Sequence, residues 1–262
     1  MKISLIISTY NSPKALETSL QSVLRQTCKP YEVIIADDGS TDSTPEVIAR
    51  FKSLVDFTVT HVWQKNEGFR LATIRNKAIA AAKGDYLVQI DGDIILHPSF
   101  IADHANEATR GYFACGNEVM INQEFTKRLY QHSDIKITPF SNGISNRKNA
   151  LRSRLLSHIF RLISSKLKYR GCNMAFWRND LLAVNGYDET YLGWGCEDHD
   201  LVARLLNHGI KPIQIRHKAI CYHLWHPSSK KSDSFNRNNE LLKATRRDNR
   251  IRSNDGIDKY IN

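Results

Sequence analysis

The run from Ile3 to Ser8 is apolar and β-favouring without a break, which suits a strand buried on both faces. Ser12-Pro13 follows as an N-cap with proline at the first helical position, and Leu16, Leu20, Val23 and Leu24 recur at helical spacing. Glu32 to Ala36 reads as a second strand. Thr44-Pro45 opens a second helix with Val47, Ile48 and Phe51 on one face. Phe57 to Trp63 reads as a third strand, Ala72 to Lys83 as an alanine-rich helix stopped by Gly84, and Tyr86 to Ile90 as a fourth strand. The alternation β-α-β-α-β-α-β predicts a mostly parallel sheet with helices on both faces.

The second half is less regular. Between 123 and 170 the chain is polar and basic, with one helical stripe: Leu151, Leu155, Leu156, Ile159, Ile163 and Leu167. Basic residues, Arg147 and Lys148 through Lys166 and Lys168, surround that stripe, which predicts either a helix packed on the core or an interfacial helix at a membrane surface. Further on, an acidic first turn (Glu197, Asp198, Asp200), apolar Leu201, Val202, Leu205 and Leu206, and Gly209 outline another helix. Ile213 to Trp225 reads as strand-like. From Ser228 to the last residue the sequence is a polar, basic tail.

In an open parallel sheet, ligands bind outside the carboxyl ends of the strands. Three polar clusters fall at those ends: Thr9-Tyr10-Asn11, Asp37-Asp38-Gly39-Ser40 and Asp91-Gly92-Asp93. No GxGxxG follows the first strand, which argues against an ordinary dinucleotide fold. A net charge of +10 favours an anionic partner. No nucleic-acid-binding motif accompanies it, so a basic nucleic-acid-binding protein is the weaker alternative. A sugar nucleotidyltransferase should carry a glycine-rich, lysine-bearing loop after the first strand, and STYNSPK lacks the glycines. The five cysteines are widely spaced without a CxxC pair, which predicts a reducing, cytoplasmic setting. The opening MKISLIISTYNS reads as a buried strand, not a signal peptide.

The stretch LVQIDGDIIL raises a question of charge. Asp91 and Asp93 flank one glycine at a strand end, and two carboxylates so close repel unless something positive lies nearby. Such a pair can present oxygens to Mn²⁺ or Mg²⁺; alternatively it is a surface turn. The run HLWHP offers an imidazole to complete that coordination, His223 ahead of His226, with His217 in the basic stretch IRHK third. In GWGCEDHD, two glycines around Trp194 predict a tight loop presenting an aromatic face to a sugar. Glu197 and Asp198 at the following helix start are placed to accept hydrogen bonds or a proton. Asp38 is a candidate for base or ribose, and Arg75, on the helix before the DGD strand, for phosphates.

The segments ISTYN, IIADDGSTD, NEGFRLATIRNKAI, VQIDGD and GCNMAFWRNDLLAVNGYDETYLGWGCEDHDL resemble the family 2 glycosyltransferases. The last is similar to the C-terminal motif of β-1,4-galactosyltransferases and chondroitin-polymerase-type enzymes. The resemblance implies a GT-A fold spanning 1–227, a Rossmann-like, mostly parallel sheet flanked by helices. Its nucleotide-binding half is 1–100, and its acceptor and metal half is 101–227. It implies a UDP-sugar donor, Gal or GalNAc favoured, with Mn²⁺ or Mg²⁺, inversion to a β-linkage, and a saccharide or lipid-linked glycan acceptor in bacterial polysaccharide biosynthesis. By the same resemblance Asp91 and Asp93 match the metal-binding pair and His223 the late histidine. Thr9, Asn11, Asp38, Arg75 and Asp91 match nucleotide contacts, Trp194 and Glu197 acceptor contacts, and Asp198 the catalytic base. With the basic helix near 147–168, the expected setting is the cytoplasm with peripheral contact to the inner face of the membrane.

Overall fold

The computed structural model describes residues 1–132, 135–163, 169–227 and 233–261. The first hundred residues alternate as the pattern predicts: β1 (Ile3–Thr9), α1 (Pro13–Leu24), β2 (Glu32–Asp37), α2 (Thr44–Lys52), β3 (Thr58–Trp63), α3 (Leu71–Ala81) and β4 (Tyr86–Asp91). Every residue of β1 and of β2 is buried, because helices cover both faces of the sheet at those strands. The strand β3 alternates exposed and sheltered positions, as an edge strand does. Helix α1 carries no side-chain cap from Ser12. Helix α3 ends before Gly84, where Ala82 turns to an extended conformation. Gly84 serves packing instead, since a Cβ there would run into Ser4 and Lys2.

After a short β5 (Ile94–Leu96) come α4 (Phe100–Glu107), β6 (Tyr112–Cys115), β7 (Glu118–Ile121), α5 (Gln123–Gln131) and β8 (Ile144–Ser145). Then follow α6 (Arg154–Ile163), β9 (Met174–Trp177), α7 (Arg178–Ala183), α8 (Glu197–Asn207), β10 (Lys211–Gln214), β11 (Cys221–His223) and α9 (Asp233–Arg247). The main sheet runs β10-β6-β9-β4-β1-β2-β3. It is parallel from β4 through β3, while β9 is antiparallel to both β4 and β6. A second sheet, β5-β11-β7-β8, stands beside it.

Three readings of the second half change. The stretch 213–225 is two short strands, because His217 and Ala219 both take positive φ and break the extended chain between them. The helix expected near 147–168 is a 3₁₀ turn at Arg147–Ala150 followed by α6; Lys166, Leu167 and Lys168 lie outside the described residues. Beyond the undescribed 228–232, the chain forms α9. Its Leu242 is buried, and Thr245 reaches Asp200 inside α8 through a 2.7 Å hydrogen bond.

Candidate active site

The carboxyl edge of the main sheet brings the predicted residues together. Ser8 pairs in register with Asp91, and Thr9 with Asp37, so the ends of β1, β2 and β4 are level. Thr9 is buried, and among the described residues its Oγ1 has no partner. Asn11 turns through a positive φ of 44°, with its backbone N–H on Ser40 Oγ and its Oδ1 accepting from the Thr41 N–H. Asp38 is buried, accepting from Gln64 Nε2 at 2.6 Å and from the Arg70 N–H at 2.8 Å. Burial outweighs those two bonds and raises its carboxyl above the ordinary value.

Arg75 is the centre of the site. It is 1% exposed, yet it carries a permanent charge that has to be matched. Its Nη1 donates to Asp198 Oδ1 at 2.9 Å and to Glu197 Oε1 at 3.4 Å. Its Nη2 donates to Asp91 Oδ1 at 3.0 Å, and its Nε to Ser8 Oγ at 3.3 Å. One cation thus faces three carboxylates. The imbalance shows in their protonation: burial, with repulsion from Asp198, pushes Glu197 up to about 7 against the pull of Arg75. Burial likewise pushes Asp91 up to about 6, with Arg75 pulling down and Asp93 and Asp198 pushing up.

Helix α8 aims the acids. It is fixed from within by Arg204, whose Nε bonds Asp200 Oδ2 at 2.8 Å with both side chains fully buried. Arg204 Nη1 also reaches the carbonyls of Val184 and Gly186. At the helix start, Gly193, Gly195 and Cys196 all have positive φ, the bend that GWGC makes affordable at the two glycines. That bend leaves Trp194 exposed and stacked on Phe235 of α9, with ring centroids 5.8 Å apart. Tyr187, fully buried, shares its one hydroxyl proton between Gln89 Oε1 at 2.7 Å and Asp198 Oδ1 at 3.0 Å. Arg75 and the Tyr187 hydroxyl therefore both meet Asp198 at Oδ1. The other oxygen, Oδ2, lies where a Cβ on residue 171 would sit, so only glycine fits there.

Across Gly92 the neighbours differ. Asp93 Oδ2 meets His223 Nε2 at 3.2 Å and His226 Nε2 at 3.4 Å. Its Oδ1 is buried and has no partner among the described residues. The other ring nitrogen of each histidine is engaged, His223 Nδ1 with Glu118 Oε2 at 3.2 Å and His226 Nδ1 with the Pro227 carbonyl at 2.9 Å. A carbonyl can only accept, so the proton of neutral His226 sits on Nδ1 and its Nε2 lone pair points at Asp93. Glu118 fixes the same tautomer on His223 when that ring is neutral. Without a cation, proton and carboxylates share the charge: burial would depress His223, but Asp93 and Glu118 outweigh it and push it up to about 10. The donor atoms of Asp93, His223 and His226 lie within 4.8 Å of one another, a set of carboxylate and imidazole that suits Mn²⁺ or a similar ion. Asp91 is outside that set and pairs with Arg75 instead, because β4 turns at Gly92 and sends the two side chains apart. His217 is elsewhere, bonded to the Leu151 carbonyl.

Sequence reasoning missed Glu118 and Tyr187. Glu118 sits on β7 and touches His223 only because β7 and β11 pair in parallel. The available signal was a lone acid in an apolar run, ACGNEVMI.

The model of glycosyl transferase family 2 matches residues 4–168, and the model described as the N-terminal domain of galactosyltransferase matches 155–227. The chain is 28% identical to chondroitin synthase of Escherichia coli over 79% of its own length and 32% of that protein's. It is 27% identical to validoxylamine A glucosyltransferase of Streptomyces hygroscopicus subsp. limoneus over 79% of its length and 48% of that protein's. It therefore spans between about a third and a half of these two relatives. Among solved structures, GalNAc-T7 with UDP, GalNAc and Mn²⁺ superposes with a TM-score of 0.70 at 16% identity, covering 94% of this chain and 48% of that one. S. aureus TarS superposes at 0.63 with 19% identity, covering 94% and 39%. The fold is that of the GT-A glycosyltransferases. Among the described residues, no helix is long and apolar enough to cross a membrane.

Proposed function

Since the chain belongs to glycosyl transferase family 2, we propose that it moves a hexose, Gal or GalNAc, from a UDP-sugar to a saccharide acceptor, inverting the anomeric carbon to give a β-linkage. The observation that carries the reading is the Asp93 cluster: two histidine Nε2 atoms and a carboxylate converge beside an unpartnered buried oxygen. Asp93, His223 and His226 would hold Mn²⁺ or Mg²⁺, with Glu118 orienting His223 from behind. When bound there, such an ion supplies positive charge to the diphosphate of the donor. The neighbours solved with UDP-GlcNAc, or with UDP, GalNAc and Mn²⁺, support this choice of donor class.

The residues of the chain divide the remaining work. Thr9, Asn11, Asp38 and Asp91 line the sheet edge where the nucleotide would lie, and Thr9 Oγ1 has a hydrogen bond to give. Trp194 offers an indole face to the acceptor sugar, and Glu197 a carboxyl that both donates and accepts near neutral pH. Arg75 serves less as a phosphate contact than as the fixed counter-charge that positions Asp91, Glu197 and Asp198. Asp198 is the base. Arg75 and Tyr187 hold its Oδ1, so Oδ2 takes the acceptor proton while the acceptor oxygen bonds to the anomeric carbon. UDP leaves from the opposite face with the electron pair of the broken C–O bond. A panel of UDP-sugars incubated with the protein and Mn²⁺ tests the reading. One donor should be slowly hydrolysed, EDTA should stop it, and absence of turnover or of UDP binding for all donors would sink the proposal.

A further inference from the structure

Helix α6 shows part of its apolar stripe to water. An ordinary one hides its apolar stripe and shows its polar face to water. Among the described side chains of α6, Ser157 is buried, and Arg161, itself exposed, bonds Glu107 of α4. Phe160 is covered by the Arg216 guanidinium, 4.5 Å above its ring. Just before the helix, Arg152 makes two bonds to Asp103 of α4, at 2.6 and 2.9 Å. Among the helix's described side chains, Leu155, Leu156 and Ile159 face outward. Leu155 is 68% exposed, Ile159 41%, and Leu151 and Leu156 are exposed as well. Phe140, 89% exposed, stands on the turn that Arg147 fastens through the Pro139 carbonyl.

Charge says what covers this face. From Ile135 to Asn179 the sequence has ten lysines and arginines and no aspartate or glutamate. Removing those ten from the chain's 37 basic residues leaves 27, equal to its 27 acidic residues, so this one stretch accounts for the whole net charge of +10. Arg147, Lys148 and Arg154 are exposed around the leucines. Two copies docking through this face would bring like charges together, which costs free energy. An anionic lipid surface attracts the arginines and lysines and takes up the leucines. The excursion also leaves from the active site and comes back to it. Asn149 Nδ2 bonds the Glu118 carbonyl at 2.9 Å, and Arg170 bonds the Glu118 carboxylate at 2.6 Å.

We propose that the outward face of α6, with Leu151 and the Phe140 turn, docks onto an anionic phospholipid bilayer. The proposal depends on no assignment of donor, metal or base. Flotation of the full chain with phosphatidylglycerol–phosphatidylethanolamine vesicles, against phosphatidylcholine vesicles, tests it. The protein should float with the anionic vesicles at low salt and bind the neutral ones weakly. Leu155→Ser with Ile159→Ser should weaken anionic-vesicle binding by at least about tenfold, because each removes apolar area that lipid would bury. Both residues are exposed, so melting temperature should hold. A second variant, Lys148→Glu with Arg154→Glu, should keep the leucines yet weaken binding several-fold, and flatten its salt dependence. No flotation of the wild type, or equal flotation of the serine variant, overturns the proposal. So does a dimer in light scattering that the serine variant dissolves while vesicles are ignored.

Discussion

On one side of Gly92, Asp91 accepts a hydrogen bond from Arg75 at 3.0 Å; on the other, Asp93 faces His223 and His226. Both carboxylates need positive charge, and each is given a different kind. A guanidinium does not lose its proton in proteins, so the Asp91 side, shared with Glu197 and Asp198, is built around one permanent positive charge. An imidazole can give up its proton, so the Asp93 side is neutralised exchangeably, by protons or by a metal. The difference separates the site into a fixed framework that positions acids and a loadable pocket that positions a ligand.

Four experiments press on that division. Asp198→Asn, nearly isosteric, should lower transfer by about 10²–10⁴ while UDP-sugar binding in calorimetry survives. Retained transfer would show that the framework does no proton chemistry. Arg75→Met should leave three acids without their cation and cost about 3–5 kcal/mol in urea unfolding, with Mn²⁺ present or absent. Glu118→Gln should weaken Mn²⁺ binding by about 10–100-fold in calorimetry, since Glu118 orients His223 from behind. The smallest effect is a slope. With Glu197 pushed up to about 7 from 4.5, the folded state holds a proton that the unfolded chain releases, so stability should fall as pH rises between those values. Glu197→Gln should flatten that fall in denaturant titrations at pH 5 and 8, and leave any Mn²⁺-dependent rise in melting temperature intact.

How much of this was legible in the sequence follows the range of the interactions. The strands and helices before residue 91 declare themselves in local periodicity, and their boundaries fall within a residue or two. The family and fold expected from ISTYN, VQIDGD and GWGCEDHD agree with the comparisons. What the sequence could not carry is which carboxylate meets which cation. Asp93 and His223 are 130 residues apart and meet because β5 and β11 pair antiparallel, Ile94 opposite His223. Arg75 looks like any polar residue on an alanine-rich helix until α8 lands on it, 122 residues later. The outward leucines of α6 look like any core stripe, because periodicity gives a face but not which way it points.

The order of strands in the main sheet sets a timetable for the emerging chain. When β4 has left the ribosome, β1 is already beside it, but its other neighbour, β9, begins at Met174. Through the synthesis of the intervening residues, one edge of a strand rich in Leu87, Val88 and Ile90 has no partner. Unpaired hydrophobic edges recruit strands from other chains. The nascent protein is thus most prone to aggregation between the two events, and a chaperone that binds extended apolar segments should be needed most in that interval. Slowing translation just before Met174 should lower soluble yield, whereas slowing it after Trp177 should not.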